Sequence, residues 1–199
     1  TRKGTKSAAN ARQSQVGTNP AQKKALPPIP AAASNEPRFF GQSIQSSFDM
    51  CNREHVQHVT DIFMTHLMKY GLADPEMFVN PGEPTKVHDL KKKIQRGAAY
   101  DLTVWNVLDV AALFKLYFKE LPNPLIPFGS YENFLNAQKI KDREQRLVAL
   151  GKLIKALPDE NKKILSKLVV FLNTLNSHYD QNNLSIDHLA RLWAPALFI

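Results

Sequence analysis

One stretch constrains the fold of this chain more than any other. Val107, Ala111, Phe114 and Phe118 recur at helical spacing and run directly into Leu121-Pro122-Asn123-Pro124. Residues three and four apart share a helix face, so the stripe predicts an amphipathic helix, with Thr103 as its cap. Proline has no amide to continue the ladder and clashes with the preceding turn, so this helix must stop there. The same spacing appears in Val56, Val59, Phe63, Leu67 and Tyr70 before Gly71, and in Val87, Leu90 and Ile94 before Gly97. It returns in Leu147, Leu150 and Ile154 before Leu157-Pro158. A longer helix is predicted from about Asp159, carrying Ile164, Leu168, Phe171 or Leu172, and Leu175. A last one begins near Ser185 and includes Leu189, Leu192 and Trp193. Residues 73–85 hold Pro75, Pro81, Gly82 and Pro84 without periodicity and read as an extended loop. No strand-like alternation competes, so the predicted fold class is all-α, a helical bundle with short connections.

The N-terminal segment is of a different kind. Residues 1–38 contain no aromatic residue and are rich in Ala, Ser, Asn, Gln, Lys and Pro. Such a composition buries too little apolar surface to offset its ordering entropy, which predicts a disordered tail before a domain at 39–199. The tail holds seven basic residues and one acid, while the other 161 residues hold 19 basic and 17 acidic ones. The net charge of +8 therefore belongs mostly to the tail, which argues against nucleic-acid binding by the domain. Lys24-Ala25-Leu26-Pro27-Pro28-Ile29-Pro30 reads either as a stiff linker or as a polyproline II ligand for an SH3 domain. The diffuse basic charge also gives the tail a means of touching anionic membrane surfaces. No run approaches the roughly 18 apolar residues of a membrane span, and no secretory signal is present. A lone Cys51 excludes an internal disulfide framework and points to a reducing compartment, cytoplasmic or nuclear.

No self-contained catalytic site is legible. There is no Gly-rich phosphate loop, zinc-protease helix or nucleophile elbow, and no cofactor is expected. The six histidines (His55, His58, His66, His88, His178 and His188) are scattered without a matching carboxylate. Lys91-Lys92-Lys93 spreads over a helix circumference and reads as a solvated face.

Ordered blocks carry a sharper signal. Phe114-Lys115-Leu116-Tyr117-Phe118-Lys119-Glu120-Leu121-Pro122-Asn123-Pro124-Leu125-Ile126-Pro127 resembles the Leu-Lys-x-x-Leu-Arg-Glu-Leu-Pro-x-Pro-Leu-Ile-Pro motif of RhoGAP domains. Leu157-Pro158-Asp159-Glu160-Asn161 is similar to that family's Leu-Pro-x-x-Asn helix. Asn183-Leu184-Ser185-Ile186-Asp187-His188-Leu189-Ala190, then Ala194-Pro195-Ala196-Leu197, is similar to its Asn-x-Met-Thr-x-x-Asn-Leu-Ala and Gly-Pro-Asn-Leu ending. Phe39-Phe40-Gly41-Gln42 is like its Phe-Gly start. The resemblance spans about residues 39–199. Family members continue into one more helix, so a chain stopping at Ile199 reads as a fragment.

The resemblance implies binding of a Rho-family small GTPase (Rho, Rac or Cdc42-like) in its GTP form. The family donates an arginine from a Gly-Ile-Phe-Arg-x-x-Gly loop, a contribution of about 10³–10⁵ in rate. Here the matching run is Glu76-Met77-Phe78-Val79-Asn80-Pro81-Gly82; Phe78 and Gly82 hold the register, and Val79 takes the arginine's place. Arg53 and Arg96 lie outside the loop, and Lys86 lacks the planar guanidinium fork. Weak or absent activation is the leading expectation. The alternatives are an activator using another arginine and a helical adaptor that no longer binds GTPases. The resemblance further places Lys115 and Lys119 on a GTPase-facing helix face, and His188 where the family has a contacting asparagine.

Overall fold

The computed structural model describes residue 1 and residues 39–54, 57–97 and 100–198, and among these there is helix but no strand. The expectations for residues 2–38, the SH3 ligand included, lie outside the described residues. The helices are α1 (Ile44–Glu54), α2 (Val59–Tyr70), α3 (Pro84–Gln95), α4 (Val107–Lys119), α5 (Phe128–Gln138), α6 (Arg143–Lys155), α7 (Asp159–Ser177), the single turn α8 (Tyr179–Asn182) and α9 (Ile186–Phe198). The all-α reading holds.

Helix α4 is the centre. It buries Val110, Ala111, Leu113, Phe114, Tyr117 and Phe118, and it packs on α2, α3 and α9. A helix covered on so many sides must be apolar over most of its circumference, and this one is. The Phe114 ring lies 5.8 Å from Phe63, 6.0 Å from Phe171 and 5.3 Å from Trp193, all in tilted or edge-to-face geometry. The cap differs from the expectation. Asn106 starts α4 by accepting the Leu108 amide at 2.9 Å, whereas Thr103 lies in a preceding 3-10 turn capped by Asp101. Asparagine two residues before the first free amide is the better acceptor here.

Two predicted stripes are less buried than their spacing implies. Tyr70 shares the predicted stripe but is 49% exposed, because α2 ends there and turns away at Gly71. Gly71 stops α2 without a left-handed cap: its φ is −121°, and a Cβ would meet Met77 Cε at 2.7 Å and Val107 Cγ2 at 2.9 Å. Helix α6 exists, but none of its residues is buried, and Leu147 and Ile154 stand exposed. It packs on α5, a helix without a readable stripe that buries only Ala137. The Ala194-Pro195-Ala196 block is helical throughout. Pro195 lies inside α9, where its fixed φ suits a helix at the loss of one backbone hydrogen bond.

The blocks distant in sequence are tied together by buried amides. Asn161 donates to Leu125 O at 2.8 Å, and the Ile126 amide donates to Leu197 O at 2.9 Å, so the proline-rich loop after α4 is held by both α7 and α9. Asn182, fully buried, donates to Leu72 O at 2.8 Å and to Leu175 O at 2.9 Å while accepting the Leu184 amide at 2.8 Å. Phe39 and Phe40 are buried, and Gln95 both accepts the Phe39 amide and donates to Phe40 O.

His58 caps α2 from inside the core. Its Nε2 lies 3.0 Å from Ser47 Oγ, its Nδ1 lies 2.8 Å from Thr60 Oγ1, and Phe48 stacks on its ring at 4.5 Å. Burial pushes its pKa down to about 4, outweighing the attraction of Asp61. The unfolded chain therefore takes up this proton first as pH falls. The neutral cap's stabilisation is complete above the ordinary value near 6.5 and is lost between there and about 4, by up to about 3 kcal/mol. Urea midpoints measured across that window are expected to fall more steeply for the native chain than for His58→Gln.

Candidate functional site

The segment between α2 and α3 is wound into turns, not extended as its composition predicts. The Glu76 amide bonds to Asp74 Oδ1, and Glu76 O then accepts the amides of Val79 at 3.0 Å and Asn80 at 2.9 Å. Asn80 donates its side chain to Glu76 Oε2 at 2.8 Å and accepts the Gly82 amide at 2.9 Å. These local bonds satisfy backbone groups that neither helix can reach.

Two residues of the segment have left-handed backbone, the same two on which the family resemblance rests its register. Phe78 has φ 67° and Gly82 has φ 69°. For a bulky residue that conformation costs on the order of 1–3 kcal/mol and persists only where surroundings impose it. Here the ring imposes it: Phe78 is 3% exposed, 4.9 Å from Trp193 and 6.0 Å from Phe171, edge to face in both cases. Gly82 is required for a second reason. A Cβ there would meet Asp109 Oδ1 at 2.9 Å and Ala112 Cβ at 3.1 Å. Asp109, buried in α4, uses that same oxygen to accept the Glu83 amide at 2.7 Å and so fixes where α3 begins.

With Phe78 turned inward, Val79 is left outside, 50% exposed. It borders a groove of about 510 Å³ between the loop, α3 and α4, which also takes in Asn80, Pro84, His88, Lys115 and Lys119. Lys115 is half-buried and donates to Phe78 O over a long 3.5 Å. Burial lowers its pKa, and the charge of Lys119 lowers it further. Lys119 is exposed one turn along α4. Lys91, read from the sequence as solvated, is instead paired with Glu120 and lies over the Phe40 ring at 5.5 Å. Lys93 lies 5.3 Å over Trp105.

The fold thus gathers Phe78, Val79, Asn80, Lys115 and Lys119 at one groove. Gly82 borders a separate cavity of about 500 Å³, shared with Lys86 and Trp105. His188 is exposed in the first turn of α9 and lines neither cavity. Arg53, at the exposed end of α1, and Arg96, at the exposed end of α3, also lie away from the groove. Sequence reasoning missed Asp109 and Asn182. The signal for Asp109 was a lone acid inside an otherwise apolar helix. For Asn182 it was the residue beside the quoted Asn183, whose own φ of 54° turns the chain toward α9.

An all-helical bundle that clamps a turn-rich loop between α2 and α3 beside a lysine-bearing central helix matches a known family. Residues 58–199 match the model of the RhoGAP domain, and the chain belongs to that family. It is 36% identical over 129 residues to mouse Rho GTPase-activating protein 22, covering 63% of this chain and 18% of that protein. It is 34% identical over 163 residues to the Dictyostelium discoideum Rho GTPase-activating protein gacJJ, covering 80% of this chain and 18% of that one. Human Rho GTPase-activating protein 1 is 28% identical over 176 residues, covering 87% of this chain and 39% of its own length. The chain therefore spans well under half the length of these relatives. The crystal structure of human Rho GTPase activating protein 15 shares the fold with a TM-score of 0.75 at 23% identity, over 81% of this chain and 77% of that one.

Replacing Gly82 by alanine puts a methyl group against Asp109 in a left-handed backbone. A loss of about 1–2 kcal/mol in unfolding free energy is expected from the backbone alone, read as a lowered thermal midpoint. Asn80→Ala, which removes an exposed bond to Glu76 and a part-buried one from the Gly82 amide, should lower that midpoint too.

Proposed function

We propose that this domain binds a Rho-family GTPase (Rho, Rac or Cdc42-like) in its GTP form through the face carrying Val79, Lys115 and Lys119. It then accelerates GTP hydrolysis weakly or not at all. The observation that carries this reading is a fully built loop displaying a valine. Phe78, Asn80 and Gly82 keep the hydrogen bonds and strained backbone that hold residue 79 at the groove. In the family that position belongs to an arginine whose guanidinium neutralises charge on the transferring phosphoryl group. Valine offers neither charge nor donor. Lys86 faces a different cavity, and Arg53 and Arg96 line neither, which disfavours rescue by another cation in the same docking pose.

Lys115 and Lys119 suit an acidic partner surface. Lys115 has the stiffer placement because it is half-buried against the loop. His188 would meet the GTPase at a separate point near the start of α9. An SH3 domain at Leu26-Pro30 and a cytoplasmic site of action, with membrane contact through the basic tail, complete the proposal. Among the described residues no helix is long and apolar enough to cross a membrane.

Single-turnover hydrolysis with GTP-loaded Rho-, Rac- and Cdc42-type GTPases tests the reading. The native chain is expected to accelerate by less than about 100-fold, and Val79→Arg to recover at least that factor, given the arginine's worth. Native acceleration beyond that limit contradicts the reading. Lys115→Ala should weaken capture of a GTPase loaded with a non-hydrolysable analogue.

A further inference from the structure

Residue 79 is positioned by its backbone. Its amide and that of Asn80 both donate to Glu76 O, and on its other side Phe78 is fixed at φ 67° by a buried ring. Valine is branched at Cβ and has few side-chain rotamers, so its two methyl groups stay at the mouth of the groove. The lining beside it is mixed: Pro81, Pro84, Val87 and Leu116 are apolar, while Asn80, whose side chain is bonded within the loop, His88 and three lysines line the same groove. The cations there are engaged or further along: Lys115 donates to Phe78 O, Lys91 pairs with Glu120, and Lys119 lies one turn beyond Lys115.

We propose that the Val79 wall shields GTP on the bound GTPase, so that hydrolysis in the complex runs slower than in the free GTPase. This rests on the reading that the groove meets the nucleotide. Hydrolysis needs an attacking water and stabilisation of charge on the transferring phosphoryl group. On the open side of a free GTPase, solvent contributes to both. A fixed pair of methyl groups over that side displaces solvent and returns no donor, in surroundings that stabilise charge less than water does. Binding then becomes protection. The chain prolongs the GTP state and competes with active GTPase activators for the same face.

The test measures binding and rate separately with the full chain. Affinity is measured on a Rho-, Rac- or Cdc42-type GTPase loaded with a non-hydrolysable GTP analogue. The single-turnover rate is then followed on the GTP-loaded GTPase at saturating chain. At saturation the rate is expected to fall below that of the free GTPase by up to about tenfold, the worth of roughly one solvent hydrogen bond. Val79→Ala admits water and, at a concentration that saturates the GTPase as fixed by its own measured affinity, should return the rate toward the free value. The expected order is therefore Val below Ala below Arg. A saturated rate equal to or above the free rate overturns shielding while leaving the binding reading intact. Equal slowing by Val79→Ala removes Val79 as its cause. No measurable affinity in the binding arm fails the reading on which shielding rests.

Discussion

The structure depends on one buried ring. Phe78 holds the left-handed backbone of the α2–α3 loop because its side chain packs edge to face against Trp193 of α9 and Phe171 of α7, with Phe114 of α4 6.4 Å away. Three helices from distant parts of the chain thus meet on the residue next to Val79. Removing that packing would release strain of about 1–3 kcal/mol and free the loop to choose another conformation. The loop bonds among Glu76, Asn80 and Gly82, and the Asp109 acceptor at the start of α3, flank Phe78 along the chain. Fold and site are therefore not separable here: the aromatic core is what aims the loop.

Much of this was legible in the sequence, for identifiable reasons. Helices α2, α3, α4, α7 and α9 carry stripes at three- and four-residue spacing because each buries one face against the core. Residues that the stripes marked, such as Phe63, Leu90, Leu168 and Trp193, are buried. Phe78 and Gly82 stand out in the sequence only through the family resemblance; their left-handed backbone is not legible there. What failed did so where packing is weak or local polar bonds decide. Helix α5 has no stripe to read, and α6 shows one that stays in solvent. The loop reads as extended in the sequence because its prolines and glycine hide the Asp74, Glu76 and Asn80 bonds that wind it. Asp109 and Asn182 escaped notice because a buried polar residue reveals its partner only when distant segments are brought together.

The consequence for function is a separation of scaffold from chemistry. Backbone strain, a buried ring and a half-buried lysine hold residue 79 at the edge of a groove, whichever side chain it bears. On the proposed reading this is the point where activation draws on charge, and the scaffold would bind with that charge or without it. The neutral balance of the folded part, and the local pairing of Lys91 with Glu120, leave Lys115 and Lys119 as the positive feature of the groove.

The most direct measurement is a crystal structure of this chain bound to a Rho-type GTPase carrying a non-hydrolysable GTP analogue. The expected result places the Val79 side chain over the terminal phosphate with Phe78 still at positive φ, and Lys115 and Lys119 against the GTPase. A complex in which another face makes the contact, or in which a basic side chain of this chain reaches that phosphate, would contradict it.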